Sequence, residues 1–186
     1  MTLVLASRSP QRRAILEQLG IRFEVVVPEV EELREGDPRG VVVENARLKA
    51  RAVAGELVLG VDTEVVVDGR VLGKPADRDE AAASLKLLSG RSHEVWSGIA
   101  LLRAGAEEAS AARTHVRFRT LTEPLLRWYL DSGEWRERAG AYAIQGRGAA
   151  LVEAIDGDFW NVVGLPVAEL LKMAPELLAE GFGQGI

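Results

Sequence analysis

A chain of 186 residues has room for one well-buried domain, or one domain with a sub-lobe, and its formal net charge of -5 leaves no global basic surface for extended nucleic acid. Cysteine is absent, which removes disulfide frameworks, thiolate nucleophiles and zinc-cysteine sites together and fits a reducing, cytoplasmic setting. No apolar run approaches the roughly 20 residues needed to span a bilayer, and the opening MTLVLAS lacks the layout of a secretory signal.

The first element is a short apolar strand, Thr2 to Ala6, feeding a turn of small polar residues. A helix follows, with Ser9 at its cap, Pro10 in its first turn, Ile15, Leu16 and Leu19 on one face, and Gly20 at its end. Phe23 to Val27 predicts a second strand, stopped by Pro28 and succeeded by an acidic turn containing Glu29, Glu31 and Glu32. Asp37 and Pro38 open a long helix through about Ala54 that carries Lys49. Leu57 to Val67 is a strand interrupted by Asp62, and Asp68-Gly69 is a hairpin turn ahead of Val71 and Leu72.

Asp77 or Asp79 caps a further helix with Ala82, Leu85 and Leu88 facing inward, closed by Gly90. Glu94 to Arg103 and Ala112 to Arg119 predict a long antiparallel hairpin around Gly105, with His93 and His115 on strand surfaces. Thr122 to Leu130 is helical, Gly140 to Gly148 a glycine-bounded loop, Ala149 to Ile155 a strand, Asp156-Gly157 a turn, and Pro166 starts the last helix. Residues 181–186, with three glycines, read as a frayed tail. With no repeat and no linker, residues 1–186 read as a single α/β domain with a mixed central sheet, long antiparallel strands and flanking helices.

Chemistry has six places to reside. Ser7 to Arg13 sets hydroxyls and guanidinium groups at a strand-to-helix turn, where free N–H groups and the helix dipole attract an oxyanion. Its plainer reading is a capped helix with solvated arginines. Asp62 lies between Val58, Leu59, Val65 and Val66, and a carboxylate there needs a cation, a metal or a proton-transfer role unless the strand simply meets solvent. Lys49 and the turn lysine Lys74 are two of only four lysines, and either can bring a point charge to a phosphate or face water. The acidic cluster either offers hard oxygen ligands to a divalent cation or is a solvated turn. Gln145, in the small-residue loop, offers a donor and an acceptor that complement the edge of a uracil or thymine base, or serve equally as a structural amide.

Taken in order, LVLASRSPQRRAIL, the VEE turn, the helix with Lys49, GVDTEVVVDG with LGKP, LSGRSHEV, GAYAIQGRGA and IDGDFWNVVGLPVAELL resemble the Maf, or septum-formation-inhibitor, family over nearly the whole chain. The resemblance implies a fold similar to the inosine triphosphate pyrophosphatases, with two lobes around a cleft. It also implies Mg²⁺- or Mn²⁺-dependent hydrolysis of a nucleoside triphosphate to the monophosphate and pyrophosphate. Ser7, Arg12, Glu32, Lys49, Asp62, Lys74 and Gln145 fall on the family's functional positions, with Asp62 as proton acceptor and with Glu32 and Asp62 as metal ligands. The AYAIQG loop looks like the branch acting on dTTP and UTP, with Thr63 and Gln145 among its specificity positions. The family usually reads S-P-R-R, whereas Gln11 stands here before Arg12; Arg13 lies one helical step, about 100°, further round. The resemblance is compatible with a homodimer. The competing readings are a non-catalytic nucleotide-binding regulator of septum formation, a phosphatase releasing the γ phosphate, and an interaction module built on the hairpin around Gly105.

Overall fold

The computed structural model describes residues 2–179. In chain order the elements are β1 (Leu3–Ala6), α1 (Pro10–Gln18), β2 (Phe23–Val26), α2 (Pro38–Arg51), β3 (Leu57–Val67), β4 (Arg70–Leu72), α3 (Arg78–Leu88), β5 (Ser92–Arg103), β6 (Ala106–Phe118) and α4 (Glu123–Ser132). Two 3-10 turns follow, Ala139–Ala141 and Arg147–Leu151, then β7 (Val152–Asp156), α5 (Phe159–Val163), α6 (Val167–Met173) and α7 (Glu176–Ala179). The strands form a seven-stranded mixed sheet ordered β2-β1-β3-β5-β6-β7, with β4 paired to β3. β1 runs parallel to both β2 and β3, while β3–β4 and β6–β7 are antiparallel. No helix among the described residues is long and apolar enough to cross a membrane.

The described chain divides into two compact units, and β3, β5 and β6 each contribute to both. The first comprises residues through Asp62, Ser97–Ala112 and the chain from Gly164 onward. Its packing rests on α2 lying against the sheet, with Ala46, Ala50 and Val53 over Val4, Ala6, Val58 and Ala100. Gly60 makes that approach possible: a Cβ there would stand 2.0 Å from the Ala46 carbonyl oxygen and 2.8 Å from the Ala50 nitrogen. Asp37 starts α2 by accepting the Gly40 N–H at 3.1 Å, and Pro38 suits the first turn.

The second unit, Thr63–Trp96 with Arg113–Val163, has its own core of Val65, Val67, Leu85, Leu88, Phe118 and Tyr129 among others. His93 belongs to that core, not to a strand surface. It is 2% exposed, shares a hydrogen bond of 2.9 Å between Nε2 and the Tyr142 hydroxyl, and meets the Phe118 ring edge-on at 5.0 Å. Burial pulls its pKa from 6.5 down to about 4. His115, half-buried on β6, fits the strand-surface expectation.

Other sequence expectations shift by local geometry. Ser9 occupies the cap position of α1 without a side-chain cap bond, because its hydroxyl donates to Gln11 Oε1 at 2.8 Å. β6 begins at Ala106, not Ala112, because Ala104 and Gly105 both take positive φ and close a two-residue turn. Asp68 and Gly69 make the same kind of turn between β3 and β4, as their sequence predicts. In α3 Ala81 is fully buried and Ala82 only partly. The strand expected from Ala149 starts at Val152, after a 3-10 turn over 147–151. The tail over 181–186 lies outside the described residues.

Candidate functional site

Strand geometry sets the first part of the site. Gly60 and Asp62 are two residues apart on β3 and so share a face, and α2 packs on that face. With Ala46 and Ala50 seated over Gly60, Asn45 and Lys49, one turn apart on α2, reach Asp62. Lys49 Nζ donates to Asp62 Oδ1 at 2.7 Å and Asn45 Nδ2 to Asp62 Oδ2 at 3.0 Å. Asp62 and Lys49 are each 7% exposed. The carboxylate that interrupts an apolar strand is thus paired and hydrogen-bonded on both oxygens, not released to solvent.

Lys49 Nζ also lies 3.0 Å from Glu32 Oε1. Glu29 and Glu31, exposed in the same segment, take no part in this pairing. At the end of β1, the buried Ser7 hydroxyl oxygen accepts from Arg12 Nη1 at 2.9 Å and from the Ser9 N–H at 3.2 Å. Arg12 Nε donates to the Gly164 carbonyl at 2.9 Å, so the guanidinium is fixed along two edges. Gln11 turns to Ser9, and Arg13 is half-buried with its Nε unpartnered, so neither joins this network.

The electrostatics follow. Burial alone would push the Asp62 carboxyl up, but the charge and hydrogen bond of Lys49, the Asn45 amide and the charge of Arg12 together hold it below its ordinary value. Desolvation pulls the Arg12 guanidinium down, against the opposing charges of Asp62 and Glu32, and an arginine stays protonated regardless. Two carboxylates therefore face two cations in one unit.

In the second unit the turn and loop singled out by sequence are joined. The Gly140 N–H donates to the Gly73 carbonyl at 3.2 Å, tying the loop that bears Gln145 to the turn that bears Lys74. Gly140 takes positive φ, and a Cβ there would stand 2.9 Å from Val65 Cγ1. The buried Tyr129 hydroxyl accepts the Ala143 N–H at 3.0 Å, and Glu134 Oε2 accepts the Arg147 N–H at 2.7 Å. Gln145 itself is exposed, Thr63 is half-buried, and Lys74 pairs with Glu137 at 3.1 Å on the surface. Sequence reasoning missed Asn45 and the loop supports Tyr129 and Glu134. The available signal for Asn45 was a poor helix former, placed four residues before Lys49 in a helix interior.

Residues 2–177 match the family described as Maf-like protein, and the chain belongs to that family. A relative from Symbiobacterium thermophilum is 51% identical over 177 residues, covering 92% of this chain and 91% of its own. One from Thermococcus gammatolerans is 49% identical, covering 92% and 94%, and one from Deinococcus radiodurans is 43% identical, covering 97% and 95%. Each of those three proteins is named a dTTP/UTP pyrophosphatase. Among solved structures, the Staphylococcus aureus Ham1 protein aligns at a TM-score of 0.45 and 16% identity, over 63% of this chain and 72% of its own.

Proposed function

We propose that this chain is a nucleoside triphosphate pyrophosphatase that hydrolyses dTTP and UTP at the α-phosphorus, giving the monophosphate and pyrophosphate. The observation that carries the reading is the buried Lys49–Asp62 pair, with Glu32 and the doubly fixed Arg12 around it, in a chain 43–51% identical to proteins named for that reaction. A regulator that only binds nucleotide is disfavoured by the same relatives. A cytoplasmic setting, where these triphosphates are made and used, fits that reaction.

Arg12 and Lys49 offset charge on the phosphates and on the departing pyrophosphate, and Ser7 supports Arg12. Asp62 is ionised at neutral pH because its pKa is lowered, so it accepts hydrogen bonds but is a weak base while Lys49 holds it. Transfer of Lys49 toward a phosphate oxygen would free Oδ1 to align the attacking water and would raise its basicity. Gln145 and Thr63 are the residues to which we assign selection of the base.

Glu32 and Asp62 suit a divalent cation. Both are hard oxygen donors brought to one ammonium, and Mg²⁺ commonly takes one or two carboxylates with water and phosphate oxygens completing its shell. Among the described residues no group of three or more His, Asp or Glu side chains could hold a metal, so a bound ion would depend on such additional oxygens. When bound, Mg²⁺ or Mn²⁺ would add positive charge to a cluster whose carboxylates and cations now cancel, and would polarise the phosphoryl group.

The test is a panel of dTTP, UTP, CTP, ATP and GTP with Mg²⁺ supplied and then chelated, reading both products. Pyrophosphate and monophosphate should form fastest from dTTP and UTP and cease on chelation, and Gln145→Ala should blur the preference for those two bases. Orthophosphate as the first product, or binding without turnover, would contradict the proposal.

A further inference from the structure

Asn45 is 1% exposed in the middle of α2, a position that ordinarily goes to an apolar side chain or a good helix former. Its amide makes three hydrogen bonds to two separate parts of the chain. Oδ1 accepts the Leu33 N–H at 2.7 Å, and Nδ2 donates to the Leu33 carbonyl at 3.0 Å and to Asp62 Oδ2 at 3.0 Å. Both backbone groups of Leu33 are therefore taken by one side chain, much as a neighbouring strand would take them.

That matters because residues 27–37 form neither helix nor strand and have no ladder to hold them. Glu32 sits in this segment, next to Leu33, and points its carboxylate at Lys49 Nζ. The amide consequently fixes two things together: the position of the segment that carries Glu32, and the plane of the Asp62 carboxylate, whose other oxygen faces Lys49. An aspartate in place of Asn45 would match its size and could still accept from Leu33. It could not donate to the Leu33 carbonyl or to Asp62, and would set two carboxylates against each other.

We propose that Asn45 is a positioning residue for the hydrolytic site, its amide clamping the Glu32 segment to Asp62 so that the two carboxylates and Lys49 keep one arrangement. The inference rests on the triphosphate hydrolysis proposed above. Outer partners that orient functional carboxylates characteristically cost about 10- to 100-fold in activity or metal affinity when removed.

The experiment compares wild type, Asn45→Ala, Asn45→Asp and a stability control, Val42→Ala, which trims a buried side chain on the same helix. Steady-state kinetics on dTTP are measured well below each variant's Tm, alongside amide hydrogen exchange read by mass spectrometry. Both Asn45 variants should lose about 10- to 100-fold in kcat with a much smaller change in KM. Asn45→Ala should also speed exchange in the peptide spanning residues 29–36 while leaving β1 protected. Val42→Ala should lower Tm without lowering kcat. Should Asn45→Ala not fold, the isosteric Asn45→Asp decides the matter. An active wild type whose folded Asn45 variants keep its kcat, or a control that loses kcat in step with its Tm, would overturn the inference alone. A wild type that releases no pyrophosphate would overturn the functional reading and this inference with it.

Discussion

Asp62 is the buried carboxylate on which the proposed chemistry of the first unit turns. Val61 before it and Val65 to Val67 beyond it are buried, and the carboxylate is tolerated there because Lys49 and Asn45 take both of its oxygens. Its lowered pKa means that it is charged at neutral pH, so Asp62→Asn removes a charge and an acceptor without removing volume. We expect turnover to fall by about 10²-fold or more, the scale of a positioned acid-base group, with nucleotide binding largely retained. Stopped assays for kcat beside calorimetric titration of a non-hydrolysable dTTP analogue check both parts. Near-normal kcat would remove Asp62 from the chemistry.

The same residue marks how far sequence carries. A carboxylate flanked by valines, a scarce lysine and a hydroxyl ending an apolar strand stand out in one dimension, because each breaks a local pattern at a cost. Asn45 breaks a pattern too, but its partners, Leu33 and Asp62, lie 12 and 17 residues away, and only the packing of a helix on a strand brings them together. The wider family likeness rested on residues spread over the chain, and there the matched relatives agree with it.

At the scale of elements, α2 against β3 is the joint on which the site depends. Gly60 faces the backbone of α2 so closely that no flexible side-chain end can give way to an added methyl. Gly60→Ala should force α2 outward, costing about 3 kcal/mol, and should lower turnover by moving Asn45 and Lys49 off Asp62. Urea titration followed by helical ellipticity measures the first, and a Cm within error of wild type would show that α2 tolerates the shift. The predicted helices and strands whose hydrophobic period runs several residues were legible in sequence. The short ones were not. α5 and α7 span five and four residues, too few for a period to show, and the 3-10 turn over 147–151 follows from a tight loop in which a Cβ on Gly148 would meet Ala143. His93 was misread because a polar residue on a strand reads as outward, whereas Tyr142 supplies it with a partner inside.

For the molecule as a whole, acid stability and reaction course are the two readouts. His93 is neutral in the folded state, with a pKa near 4, but takes up a proton near its ordinary 6.5 once unfolded. The unfolded chain therefore binds more protons in that window, and stability is full above about 6.5 and falls as pH drops toward 4. The loss attributable to His93 is on the order of 3 kcal/mol. His93→Gln, which keeps a hydrogen-bonding side chain beside Tyr142, should flatten the dependence of urea Cm on pH across that window. An unchanged slope would assign the acid sensitivity to other groups.

The central claim is that the cluster around Asp62 directs water to the α-phosphorus. Hydrolysis of dTTP in heavy-oxygen water, with both products analysed by mass spectrometry, tests it most directly. The heavy atom should appear in the thymidine monophosphate and not in the pyrophosphate, and Asp62→Asn should slow its incorporation without moving it. Label in the pyrophosphate, or release of labelled orthophosphate as the first product, would contradict attack at the innermost phosphate.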